Sequence, residues 1–159
     1  MAGEPSAIVT VLFTDQVEST RLSQRIGDDD AADALRASHF QLLREVIAQT
    51  RGDEIKTIGD GVMVVFSSAL DALACGIAIQ QAVERHNRSR TDGLTFSVRV
   101  GMDAGEPIRR ERDYFGTCVV VARRLCDAAD GGQVLVSDLV RRLAGTRGGH
   151  IFRDDQQVA

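Results

Sequence analysis

The stretch from Glu54 to Phe66 constrains the fold more than any other. Ile55, Thr57 and Ile58 lead into Gly59-Asp60-Gly61, and Val62, Val64, Val65 and Phe66 lead out. β-Branched and apolar runs on either side of an Asp-Gly pair specify a hairpin, because these residues tolerate the backbone that a tight turn between twisted strands demands. Ala7 to Thr14 is rich in Val and Ile and stops at a polar residue, the pattern of a central strand buried on both faces. Such strands need cover. Gln16 to Ile26 predicts a short helix ending at Gly27. Behind the capping acids Asp28 to Asp30, Leu35, Leu42, Leu43, Val46 and Ile47 recur at helical spacing as far as Thr50. Ser68 opens a helix with Leu70, Leu73, Ile77 and Ala78 on one face, which gives way to a polar loop from Asn87 to Gly93. Thr95 to Met102 alternates Phe96, Val98 and Val100 as a fourth strand. Val119 to Leu125 then reads as a helix, Val134 to Val136 as a last strand and Leu139 to Leu143 as a short helix.

This order predicts an α+β fold, a ferredoxin-like sandwich with a mixed sheet and helices packed on one face. A chain of 159 residues, 43% apolar, builds one core, so residues 1–159 read as a single domain. The net charge of -4 leaves no basic stripe for a phosphate backbone and argues against a nucleic-acid partner. Cys75, Cys118 and Cys126 are odd in number and lack metal-type spacing, which fits a reducing cytoplasm. No run of about 18 apolar residues appears, so no membrane span is expected in this segment.

Two acids stand out for chemistry. Asp15 ends the first strand and Asp60 tips the hairpin expected beside it. Two carboxylates at neighbouring strand ends make a hard-oxygen site of the kind that Mg²⁺ or Mn²⁺ occupies while also holding phosphate oxygens. Taken singly, Asp15 is equally explained as a helix cap and Asp60 as a turn former. Backbone N–H groups along Gln16-Val17-Glu18-Ser19-Thr20, at a helix start, suit a triphosphate. The chain has no Walker-type glycine loop, so nucleotide chemistry here needs another scaffold.

Phe13-Thr14-Asp15-Gln16-Val17-Glu18-Ser19-Thr20, Lys56-Thr57-Ile58-Gly59-Asp60-Gly61 and Asp113-Tyr114-Phe115-Gly116-Thr117 resemble, in order and spacing, the signature blocks of class III adenylate and guanylate cyclases. Val98-Arg99-Val100-Gly101-Met102 and Gly131-Gly132-Gln133-Val134-Leu135-Val136-Ser137 are similar to the flanking blocks, and the resemblance runs from about Ile8 to about Phe152. It implies an adenylate cyclase that converts ATP to 3′,5′-cyclic AMP and pyrophosphate at a homodimer interface. Two divalent ions, Mg²⁺ or Mn²⁺, would be bound by Asp15 and Asp60, with Phe13, Thr14, Ser19 and Thr20 contacting substrate. Lys56 and Asp113 match the pair that reads adenine. An ammonium donates to N1 and a carboxylate accepts from the exocyclic amine, whereas guanine reverses that order. Arg124 matches the arginine that stabilises charge on the α-phosphate in the transition state.

Three departures accompany the match. Val120 stands where the family usually has Asn, and losing one preorganised polar contact costs about two to three orders of magnitude in rate. Glu18 replaces a glycine of the phosphate loop, and the sequence stops at Ala159 before the family's usual Leu-Lys-Gly segment, so a weak dimer is expected. Asp103, where His is often seen, is expected only to change a turn. These departures keep open a second reading, a catalytically silent cyclase-like domain that binds nucleotide or a partner.

Overall fold

The computed structural model describes residues 7–17, 29–91 and 95–153. Along these run β1 (Val9–Val17), α1 (Asp29–Gln49), β2 (Asp53–Ile58), β3 (Gly61–Phe66), α2 (Ala69–Arg88), β4 (Ser97–Gly105), β5 (Ile108–Arg110), β6 (Asp113–Phe115), α3 (Thr117–Ala128), β7 (Val134–Val136) and α4 (Asp138–Ala144). Five strands form one sheet in the order β2-β3-β1-β4-β7, in which β4 and β7 are parallel and all other neighbours antiparallel. The fold is α+β with a mixed sheet, as the sequence predicts. No helix of the described residues is long and apolar enough to cross a membrane.

Strand alternation sorts the core into two layers. Leu12, Val64, Phe66, Val100 and Met102 point to one face, where they meet Leu43 and Ile47 of α1, Leu73 and Ile79 of α2 and Val140 of α4. Each such side chain contributes about 1.5–3 kcal/mol through its removal from water. Ser68 and Ser137 cap α2 and α4, their hydroxyls accepting from the N–H of Asp71 (3.4 Å) and Val140 (3.3 Å). The expected one-face arrangement holds for these three helices. α3 instead covers the opposite face, packing Cys118, Ala122 and Cys126 on Val11, Phe13, Met63 and Val65. The reason is Gly101, whose missing Cβ lets the helix backbone sit directly on β4; a Cβ there would lie 2.7 Å from the carbonyl oxygen of Ala122.

Several boundaries differ from expectation. Gln16 and Val17 belong to β1 rather than to a helix, because β1 stays paired with β4 as far as Val17 opposite Ser97; the rest of the predicted helix lies outside the described residues. β4 runs on to Gly105, so Asp103 is a buried strand residue opposite Val11 and not part of a turn. The charged hairpin β5–β6 was not anticipated. Finally, β2 carries a bulge between Glu54 and Lys56. Glu54 pairs with Val64 and reaches Arg44 of α1 (3.2 Å), whereas Lys56 pairs with Met63, a residue of the α3 face.

Candidate active site

Gly61 seats the hairpin tip on β1. A Cβ there would overlap the Thr14 carbonyl oxygen and lie 3.4 Å from Asp15 Cα, so only glycine permits the hairpin tip to press this closely on β1. The Val62 N–H donates to Thr14 Oγ1 at 3.1 Å, which holds the contact in register. Asp60, one residue earlier in the turn, thus sits at the same end of the hairpin, and the Asp60 and Asp15 side chains are partly open to solvent at 33% and 21%.

Each acid has a guanidinium partner. Arg99, directly across from Asp15 on β4, donates to Asp15 Oδ2 from Nη2 (2.6 Å) and Nε (3.2 Å), and its Nη1 donates to the Asp127 carbonyl oxygen of α3 (2.9 Å). Arg36 of α1 donates from Nη2 to Asp60 Oδ1. Neither arginine was singled out in the sequence as a site residue. Arg99 left a trace, a charged residue between two valines of a buried strand, which calls for a carboxylate opposite. Arg36 left none, since its partner lies 24 residues away in sequence.

Lys56 donates from Nζ to Asp113 Oδ2 at 2.8 Å, so these two residues stand together across 57 positions of chain. The ammonium, aided by the Tyr114 N–H, holds the Asp113 carboxyl below its ordinary range. Phe13 is buried in the layer beneath α3 and Thr14 is fully buried, so neither side chain lines an open surface. Arg124 is exposed on α3 and makes no ion pair among the described residues, while its neighbour Arg123 pairs with Asp127 (3.5 Å). Val120 is 49% exposed on the same helix, near Phe115 at 50% in sequence order. Ser19, Thr20 and Glu18 lie outside the described residues.

The donor set fits a small divalent cation. Its side chains are carboxylates, without thiolate or imidazole, and Mg²⁺ or Mn²⁺ takes such ligands in ones and twos, completing its shell with water and phosphate. No group of three His, Cys, Asp or Glu converges among the described residues. Cysteine nucleophiles are absent from this chemistry, since burial pushes the Cys75 thiol up to about 11 and Cys126 up to about 12. A groove of about 730 Å³ between α2, Phe96 and Val134 shares no residue with this end of the sheet.

The model of the adenylate and guanylate cyclase catalytic domain matches residues 1–157. The chain belongs to that family. It is 33% identical over 132 residues to a putative adenylate cyclase 3 of Rhizobium meliloti, covering 82% of this chain and 22% of that protein. Among solved structures, an adenylate/guanylate cyclase/hydrolase from Silicibacter pomeroyi superposes with a TM-score of 0.80 at 28% identity, over 95% of this chain and 87% of that one. The adenylyl cyclase CyaB from P. aeruginosa gives 0.74 at 25% identity, over 86% and 80%. The cyclase domain described here spans only about a fifth or less of the first curated relatives, 7% in the adenylate cyclase of Podospora anserina.

Proposed function

We propose that the domain converts ATP to 3′,5′-cyclic AMP and pyrophosphate with two divalent cations, Mg²⁺ or Mn²⁺, in a site completed by a second copy of the chain. The observation that carries this reading is the close seating of Gly61, the residue after Asp60, on the backbone of Thr14 and Asp15. Bound there, the cations would supply activation of the ribose 3′-hydroxyl and charge neutralisation on the triphosphate. Lys56 and Asp113 stand together at 2.8 Å, a donor and an acceptor of the kinds that an adenine edge needs, which supports adenine. Relatives named adenylate cyclase at 33% identity support it too. Arg124, exposed and without an ion-pair partner among the described residues, is free to meet charge building on the α-phosphate. Ile108, Phe115 and Val120, each about half exposed, supply apolar surface on β5, β6 and α3 for a symmetric pair.

A silent nucleotide-binding domain is the second reading, favoured by Val120, whose methyl groups stand exposed on α3 where a polar contact is expected. Cyclic AMP formation from ATP with Mn²⁺ and with Mg²⁺, over a range of protein concentrations, separates the two. Activity per chain should rise with concentration and vanish in Asp15→Asn and Asp60→Asn. A folded wild-type chain that binds nucleotide yet forms no product at any concentration would establish the silent reading.

A further inference from the structure

Both acids of the site are already neutralised. Arg99 pairs with Asp15 and Arg36 with Asp60, so the four groups together carry no net charge. The two arginines are held differently. Arg99 is tied to α3 through the Asp127 carbonyl and is 26% exposed, whereas Arg36 reaches over from α1 with 55% of its side chain open to water. Among the described residues Asp60 is the ion-pair partner of Arg36, and Arg36 is that of Asp60. One helical turn along α1, buried His39 feels the fields of Asp60, Arg36 and Asp15 together, so this side of α1 borders the site.

We propose that Arg36 is the resident counter-cation of Asp60, a positioning residue that disfavours free divalent ions and yields the carboxylate to a cation arriving with a triphosphate. The proposal rests on the metal-binding role of Asp60. A free divalent ion must break the Arg36 pair, leave a guanidinium without a partner and sit beside two positive charges. A metal–triphosphate complex is anionic overall, so the same guanidiniums attract it. The displaced fork of Arg36 then gains phosphate oxygens in place of the carboxylate it loses. Metal and nucleotide therefore bind with positive cooperativity, and by linkage each strengthens the other equally.

The test is Mn²⁺ binding to the whole chain, read from the electron paramagnetic resonance of free Mn²⁺, with and without a non-cyclisable ATP analogue. Without nucleotide, Arg36→Gln should bind Mn²⁺ roughly three- to tenfold more tightly than wild type, the scale of losing one partly exposed like charge. The gain in Mn²⁺ affinity that the analogue brings should shrink by a similar factor. Arg36→Lys keeps the charge and should stay within about twofold of wild type. Arg44→Gln breaks the neighbouring α1 pair with Glu54 and should change neither quantity. If Arg36→Gln, shown to be folded by its thermal melt, binds Mn²⁺ as wild type does while Asp60→Asn weakens binding, the role of Arg36 is overturned and that of Asp60 stands. If Asp60→Asn binds Mn²⁺ like wild type with and without the analogue, the metal role of Asp60 fails and the inference with it.

Discussion

His39 should make this domain lose stability in mild acid. The side chain is wholly buried on α1, edge-on to Phe40 and Phe96 with ring centroids 4.9 and 5.4 Å away. Neither ring nitrogen has a hydrogen-bond partner among the described residues. Burial lowers its pKa from 6.5 to about 4; Arg36 adds to the lowering, while Asp60 and Asp15 oppose it. Between those values the unfolded chain takes up a proton that the folded chain refuses. Stability rises with pH wherever the unfolded state binds more protons, so the contribution is complete above 6.5 and is lost as pH falls towards 4. At about 1.36 kcal/mol per pH unit the loss reaches about 3 kcal/mol, a large part of the roughly 5–15 kcal/mol that holds a domain together. Urea unfolding at a series of pH values should reveal this slope in the wild type and its disappearance in His39→Leu, which fills similar space without titrating. His86 and His150 are common to both chains, so the difference isolates His39. Parallel pH profiles for the two proteins would refute the claim that the imidazole stays neutral in the fold.

Gly61→Ala should lower stability by about 1–3 kcal/mol, because the new methyl meets the Thr14 backbone rather than a flexible side chain, and it should also weaken Mn²⁺ binding. An unchanged urea midpoint would show that the hairpin tip has slack. Combining Lys56→Glu with Asp113→Cys should move nucleotide preference from ATP towards GTP, measured as the ratio of kcat/KM values; wild-type chain that used both equally would remove the basis for this assignment. Val120→Asn should raise kcat by about tenfold or more if a missing polar contact limits the rate. No gain in a folded variant would count against that explanation.

Local features of the fold were legible where local chemistry decides them. The Gly59-Asp60-Gly61 turn, the Ser68 cap and the strand Val134–Val136 all stand where the sequence puts them. Contacts distant in sequence were not legible. Gln16 and Val17 read as a helix start until β4 is there to pair with them. β5 and β6 are three residues each, too short to carry an apolar period, yet their pairing carries Asp113 to Lys56. The face chosen by α3 depends on Gly101, which looks in sequence like any strand glycine. Among the candidate residues, the motif spacing pointed to Asp15 and Asp60 as neighbours. Their arginine partners come from a cross-strand register and a helix phase that no motif encodes.

The extra residue in β2 has a consequence for how this hairpin tolerates change. Residues two apart in a regular strand point the same way, yet Glu54 turns to α1 and Lys56 to β6 because Ile55 is inserted between their pairing positions. One residue thus splits two charges between opposite sides of the sheet. Deleting Ile55 would make Glu54 and Lys56 direct neighbours opposite Val64 and Met63, and neighbours in a regular strand also point to opposite sides. The strand can lose its extra residue and keep both the anchor to the helix and the contact with Asp113, whereas straightening the bulge with Ile55 in place would turn both charges to one side. In lineages that keep both ion pairs, the opposite orientation of these two charges should therefore be held more strictly than the presence of the extra residue between them.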